Sequence, residues 1–163
     1  MIARGLSAFN PDRVALAAGK IMPRRLRDLA AERTTFAFET TLASRSFAPW
    51  IAALVRAGYD FRLLYVFVDS ADVSVARVAQ RVRTGGHDVP EETIRRRYVG
   101  GLRNFDLLYR PLAKTWRVYD NSSGSGGRRV ANGSRGRILS IGDLALWAKF
   151  SRAVDEAKAA NDT

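Results

Sequence analysis

Cysteine is absent from the chain and histidine occurs once, at His87. Disulfides, thiolate metal sites, a cysteine nucleophile and a histidine-rich metal centre are thereby excluded, and no metal ligands are expected. Lysine is scarce as well, at Lys20, Lys114, Lys149 and Lys158, so nearly all of the positive charge is arginine. No apolar run reaches the roughly 18 residues of a membrane span. The amino-terminal MIARGLSAFNPDR has no apolar core of a secretion signal, which gives the expectation of a cytoplasmic protein without membrane partners.

At 163 residues and 47% hydrophobic, the chain is long enough for one globular domain with a real core. Against 16 acidic residues stand 27 Lys and Arg, a net charge of +11. That balance points toward phosphate-bearing partners (nucleotides, nucleotide sugars, nucleic acid or an anionic surface) without choosing among them. Much of the charge sits in RVAQRVRTGGHDVPEETIRRRY, residues 77–98. Arg77, Arg81 and Arg83 precede Gly85-Gly86, and Arg95, Arg96 and Arg97 follow a helix start marked by Pro90 with Glu91 and Glu92 in the first turn. Two arginine-bearing helices across a glycine hinge predict a lid for an anion, since guanidinium groups stay charged and present a planar fork of donors. The competing reading is a solvated basic face.

Hydrophobic patterning alternates between helix and strand. Asn10-Pro11-Asp12 reads as an N-cap opening a helix that Gly19 and Pro23 interrupt, and PRRLRDLAAER resumes it. TTFAFE, residues 34–39, is short, β-branched and aromatic, which predicts a strand, and FAPWIAALVRAG predicts a helix closed by Gly58. FRLLYVFV is a continuous apolar run of the kind buried on both faces of a parallel sheet. Helices are expected over 72–84 and from Pro90 to about Leu112, the second weakened by Gly100-Gly101, and WRVYDN is a further strand. SSGSGG after it is a loop, Asn132-Gly133 signals a hairpin whose turn continues to Gly136, and an amphipathic helix over 142–160 closes the chain. Strands separated by helices predict an α/β fold with a mainly parallel sheet and flanking helices.

In such folds ligands bind beyond the carboxyl ends of the strands. Three polar clusters answer to that position: Glu39-Thr40-Thr41, the helix start at Asp12, and Asp120-Asn121 at the end of WRVYDN. A carboxylate there can accept hydrogen bonds from a sugar or ribose hydroxyl. Plainer alternatives stand beside them. Thr40, Thr41 or Ser44 can cap the next helix, Asp12 can be a first-turn acid favoured by the helix dipole, and His87 can be a loop-stabilising hydrogen-bonder.

FNPDRVA, FAFETTLASRS, AGYDFRLLYVFV, RVAQRVRTGGHDVPEETIRRRY and WRVYDNS, in this order from about Phe9 to Ala131, resemble the zeta-toxin-like family of P-loop kinases. The resemblance implies a P-loop-kinase-like fold and ATP or GTP with magnesium as cofactors. It further implies phosphorylation of a hydroxyl on UDP-N-acetylglucosamine or a related nucleotide sugar, with an antitoxin protein as partner. Roles follow from the same resemblance. Asp12 would be the base toward the sugar hydroxyl, and Glu39, Thr40, Thr41 and Arg45 would lie at the substrate-facing strand end. Arg81 and Arg96 would act on the transferred phosphate, with Arg77, Arg83, His87, Arg95 and Arg97 around them in the lid, and Asp120 and Asn121 would flank the nucleotide base. Phosphoryl transfer is governed by positioning and charge neutralisation, and one arginine at the transferred group contributes about 10³ to 10⁵ in rate.

The family's GxxxxGK[ST] segment is missing from these residues. Gly19-Lys20 is followed by Ile21, has Val14 where the first glycine should stand and lies after the NPD motif, while the glycine-rich stretch ending at Gly127 runs into Arg128 rather than a lysine. The chain is therefore read as one truncated domain over 1–163, without the family's first strand and phosphate loop, carrying a lid at 77–98 and a terminal helix at 142–160. The backbone nest, the phosphate-reaching lysine and the magnesium-binding hydroxyl go with that loop, so binding of ATP or GTP is set against this chain and the 163 residues alone are expected to be inactive. Two alternatives are a degenerate module that binds a nucleotide sugar or a partner protein, and a basic nucleic-acid-binding protein. The second is disfavoured because aromatic residues are not interleaved with the basic ones. A lost strand would leave a bare sheet edge, which makes a homo-oligomer a further expectation.

Overall fold

The computed structural model describes residues 22–124 and 126–160. The chain divides into two compact units, Met1–Glu39 and Thr40–Thr163. Asp12, the helix start around it and Gly19-Lys20 lie outside the described residues.

In the first unit helix α1 spans residues 22–31. Its end is set by Arg33, whose φ of 57° turns the chain so that the Thr34 N–H donates back to the Leu29 carbonyl at 3.1 Å. Residues 34–39, expected as the strand TTFAFE, form no strand. Their β-branched and aromatic side chains suit a pleated sheet, but a strand exists only by exchanging backbone hydrogen bonds with a neighbour, and no described strand supplies them.

The second unit runs α2 (Phe47–Arg56), β1 (Arg62–Phe67), α3 (Ala71–Arg83), α4 (Glu91–Asn104), a π-helical turn (Phe105–Tyr109), β2 (Thr115–Asp120), β3 (Arg128–Ser134), β4 (Arg137–Ile141) and α5 (Leu144–Ala159). The strands form one sheet in the order β1-β2-β3-β4. It is an α/β fold with a mixed sheet rather than a mainly parallel one, since only β1 and β2 pair in parallel. The connections explain this. The path from β1 to β2 passes through α3 and α4, long enough to bring the chain back in the same direction, whereas β2, β3 and β4 follow one another through short links that reverse it. The hairpin between β3 and β4 turns at Arg135-Gly136, both at positive φ (46° and 78°), as a two-residue turn of matching twist requires. Asn132-Gly133 lies inside β3 instead. Gly133 is needed there because a β-carbon would strike the Trp116 ring and the Arg137 carbonyl.

Among the described residues FRLLYVFV is covered on one face only. Leu63 and Phe67 are buried, while Leu64 and Val66, pointing the other way, are 60% and 52% exposed. The covered face meets the π-helical turn and α5 in an aromatic cluster. Phe150 lies 5.2 Å from Phe67 and 5.5 Å from Phe105 between ring centroids, and Phe105 lies 6.1 Å from Trp116, all near edge-to-face. Each such ring removes a large apolar area from water, which makes this cluster the main anchor of the sheet. Capping side chains fix the helices beside the strand ends. Ser70 Oγ accepts the Val73 N–H at the start of α3, and Asp143 accepts the Leu146 N–H at 2.9 Å at the start of α5.

Candidate functional site

The loop from Thr40 to Ser46 is bound down at three consecutive carbonyls. Asn104, only 2% exposed on α4, donates its Nδ2 to the Leu42 and Ala43 carbonyls at 2.8 and 3.0 Å, and the Tyr109 hydroxyl donates to the Ser44 carbonyl at 2.6 Å. Burial raises the Tyr109 phenol above its ordinary value, so it remains a donor. The seat is made by glycines. A β-carbon on Gly101 would meet the Thr41 carbonyl oxygen at 2.5 Å, and one on Gly100 would meet the Ala43 backbone at 3.5 Å. Gly100-Gly101, expected to weaken the helix, instead let the loop lie against it. Leu42 is held at a φ of 57° with its side chain buried, a conformation that needs such support. Thr40 and Thr41 accept the Leu42 and Ala43 N–H groups on their Oγ1 atoms, which leaves both O–H groups free to donate from an exposed position.

Arg97 is three residues before Gly100 and four before Gly101, and Arg96 is four before Gly100. Helical periodicity therefore sets both on the face that seats the loop, about one turn toward the helix start. They are exposed and form no ion pair or hydrogen bond with the described residues. The Arg45 side chain, in the loop itself, is in the same condition. Arg95 is on the opposite side and is engaged by Asp72 at 2.6 Å and Glu91 at 2.7 Å, whose hydrogen bonds raise its pKa.

The other lid arginines serve as struts. Arg81 donates to the His87 carbonyl at 3.1 Å across the glycine hinge, where Gly85 has a φ of 85°, and Gly86 sits so close to Arg81 that a β-carbon would clash. Arg83 donates to Gln80 at 2.9 Å, and the His87 side chain is exposed. Arg77, half-buried, donates to the Asn121 and Ser122 carbonyls and so ties α3 to the loop after β2. Glu39 is exposed at the end of the first unit.

A cavity of about 650 Å³ opens at the carboxyl ends of β1 and β2, with Asp69, Val73, Asp120, Arg128, Leu146 and Lys149 in its lining. Asp120 is 8% exposed and takes on one oxygen the N–H and hydroxyl of Ser122, while Ser122 Oγ accepts the Asp69 N–H at 2.9 Å. Lys149 lies 3.1 Å from the Asp69 carboxylate. Asn121 donates its N–H to the Phe67 carbonyl at 2.9 Å, and its buried Oδ1 has no hydrogen-bond partner among the described residues. Tyr98 donates to the Val68 carbonyl at 3.0 Å; burial first, then the nearby Asp69 and Glu156 charges, push its phenol up to about 12.

Sequence reasoning missed Asp69, Lys149, Asn104 and Tyr109. Asp69 was open to the same strand-end rule that singled out Glu39 and Asp120, since it is the first charged residue after FRLLYVFV. Lys149 carries no such signal, arriving from a helix turn 80 residues away from Asp69 in sequence.

A sequence model of the Zeta toxin family matches residues 9–125. The chain is also similar to an uncharacterized protein of Haemophilus influenzae, at 25% identity over 97 residues that cover 60% of this chain and 69% of that protein. No solved structure gives a significant match. Among the described residues no helix is long and apolar enough to cross a membrane, and no three acidic or histidine side chains are gathered where they could hold a metal ion. The family match takes in the tethered Thr40–Ser46 loop, both arginine-bearing helices and the Asp120 strand end, so the chain belongs to the zeta toxin family.

Proposed function

We propose that this chain holds the anionic acceptor in a kinase-like phosphoryl transfer, the acceptor being a nucleotide sugar such as UDP-N-acetylglucosamine. The observation that carries the reading is the α4 face on which Arg96 and Arg97, without partners among the described residues, continue the seat of the Thr40–Ala43 loop. Two guanidinium groups there would neutralise a diphosphate, and the O–H groups of Thr40 and Thr41 would donate to its oxygens. The resemblance adds Asp12 as the base toward the acceptor hydroxyl and Glu39 as a hydroxyl ligand.

The triphosphate and magnesium used by the family fit the described residues poorly. The glycine-rich loop after β2 has no lysine, and Lys149 beside it is engaged by Asp69. No transfer step is therefore assigned to these residues, and the 163-residue chain alone is expected to bind acceptor without turning it over. Calorimetry with UDP-N-acetylglucosamine tests the binding. The chain should bind it, and the double substitution Arg96→Ala/Arg97→Ala should weaken binding by at least about tenfold while leaving the melting temperature unchanged. No measurable binding by the unaltered chain would defeat the reading. Labelled ATP tests the second half: robust phosphate transfer by the chain alone would overturn it. Transfer that appears only when an upstream strand and phosphate loop are supplied, and disappears again in Asp12→Asn, would support it and would set aside a purely non-catalytic binding role.

A further inference from the structure

One face of the sheet is packed against the aromatic cluster, and the other is open. On β2, Trp116 and Val118 are fully buried, whereas Thr115 and Arg117 are exposed and Tyr119 is half-buried, so the second set points away from the cluster. The strand register extends that open face across all four strands. Leu64 stands opposite Arg117, Arg117 opposite Asn132, and Asn132 opposite Ser140, while in the adjoining row Val66 stands opposite Tyr119 and Tyr119 opposite Arg129. Arg62 beside Thr115 and Arg137 beside Ser134 complete it.

No strand residue turned to this face is acidic. The side chains of Arg62, Arg117, Arg129 and Arg137 are exposed and form no ion pair or hydrogen bond among the described residues. No two of them stand directly opposite each other in the ladder, which limits their mutual repulsion and spreads the charge over an area instead of focusing it in a pocket. Such a surface complements an extended polyanion better than a single small anion. It also carries an apolar strip, since Val66 and Leu64 flank the Tyr119 and Arg117 positions at 52% and 60% exposure. Gly127, at the end of the glycine-rich loop, lies against the Tyr119 side chain, where even a β-carbon would come within 3.3 Å. A larger residue there would lie over the ring, and glycine leaves it reachable.

We propose that the open face of the sheet is a docking surface for single-stranded nucleic acid. The four arginines neutralise backbone phosphates, and Tyr119, with Val66 beside it, offers a platform on which an unstacked base lies. Asn132 and Ser140 supply neutral hydrogen-bonding groups between the charges. Along the sequence the aromatic residues are not interleaved with the basic ones, but pairing of the strands brings Tyr119 between Val66 and Arg129. A duplex fits less well, because its grooves admit a helix or a two-stranded ribbon and not the breadth of a four-stranded face, and its bases are already stacked. The proposal is independent of the acceptor reading, with which it shares neither residues nor ligand.

Fluorescence anisotropy of a labelled oligothymidylate of about 12 nucleotides, titrated with the full chain at several salt concentrations, is the test. The single strand should bind more tightly than a duplex of equal length, and log K should fall with log salt with a slope of about −3, from roughly 0.7 per neutralised phosphate. Arg117→Gln/Arg129→Gln, exposed and therefore safe for folding, should roughly halve that slope. Tyr119→Leu should weaken binding at least about fivefold without changing the slope, the signature of lost stacking and not of lost charge. Melting temperatures and UDP-N-acetylglucosamine binding should be unchanged in both variants, and Arg96→Ala/Arg97→Ala should leave oligonucleotide binding within about twofold. No oligonucleotide binding at low salt, duplex bound as tightly as single strand, or binding that follows Arg96 and Arg97 and ignores Arg117, Tyr119 and Arg129 would each overturn the proposal. Anionic phosphatidylserine vesicles bound equally by the unaltered chain and Tyr119→Leu in place of the oligonucleotide, or a dimer in sedimentation that excludes it, would overturn it as well, giving the face to lipid or to a second copy. Oligonucleotide binding without UDP-N-acetylglucosamine binding would remove the acceptor reading and leave the sheet surface standing.

Discussion

Between Glu91 and Arg97, α4 is charged and mostly exposed, whereas between Gly100 and Asn104 the same helix is packed so closely that a side chain at Gly101 would meet the Thr41 carbonyl oxygen at 2.5 Å. The first half has arginine side chains facing solvent. The second half has two glycines and a buried asparagine facing another stretch of backbone. The difference shows how one helix can divide its work: the glycine half fixes a loop in a conformation the loop would not hold by itself, and the arginine half presents charge beside that fixed loop. Each half needs the other only through the continuity of the helix, so the two can be broken separately.

The largest effect is expected from Gly101→Val. Its side chain has nowhere to go against the Thr41 carbonyl and the nearby Tyr65 hydroxyl, and the substitution should cost about 3 kcal/mol of stability by chemical denaturation. A change within error would mean that the loop does not rest on α4. Asn104→Ala comes next, at about 2 kcal/mol, because it leaves the Leu42 and Ala43 carbonyls without their shared donor. Unlike Arg96→Ala/Arg97→Ala, it should lower the melting temperature and acceptor binding together.

Alkaline pH probes the point where α4 crosses the end of β1. The folded chain keeps the Tyr98 proton up to about pH 12, while an unfolded tyrosine loses it near 10.0. The folded state therefore binds more protons across that window, so the contribution is complete below pH 10 and is lost as pH rises toward 12. Tyr98→Phe should flatten part of the decline in stability between pH 10 and 12, with Tyr65 and Tyr109, whose phenols are also raised by burial, keeping the rest. An unchanged pH profile would show that the Tyr98 phenol is not buried beside Asp69 and Glu156. The smallest effect belongs to Arg95→Ala, which removes two solvent-screened ion pairs on the far side of α4 and should leave both the denaturation midpoint and acceptor binding where they were.

The charged half of α4 was legible in the sequence because Pro90, Glu91 and Glu92 mark a helix start and the arginines follow in a run. The glycine half was not. Gly100-Gly101 lowers helix propensity, and only the tertiary approach of the Thr41–Ala43 backbone turns that local weakness into a contact. FRLLYVFV was read correctly as a strand and incorrectly as buried on both faces, since periodicity reports what a strand could cover and not what is present to cover it. TTFAFE failed as a strand for a related reason: its pattern is right and its ladder partner is missing from the described residues. Asp120 was singled out through its place at a strand end, whereas Lys149, which lines the same cavity, could be known only from the fold.

Leu64 and Val66, on the uncovered side of a strand that pairs with β2 alone among the described residues, bear on how the protein behaves as a colloid. A bare strand edge with apolar side chains invites a second copy to add to it, and the defence in this chain is long-range repulsion from a net charge of +11. That repulsion weakens as the screening length shrinks, from about 10 Å at 0.1 M salt to about 3 Å at 1 M. Salt concentration, more than temperature, thus sets the distance at which two molecules of this protein first encounter each other's exposed strand.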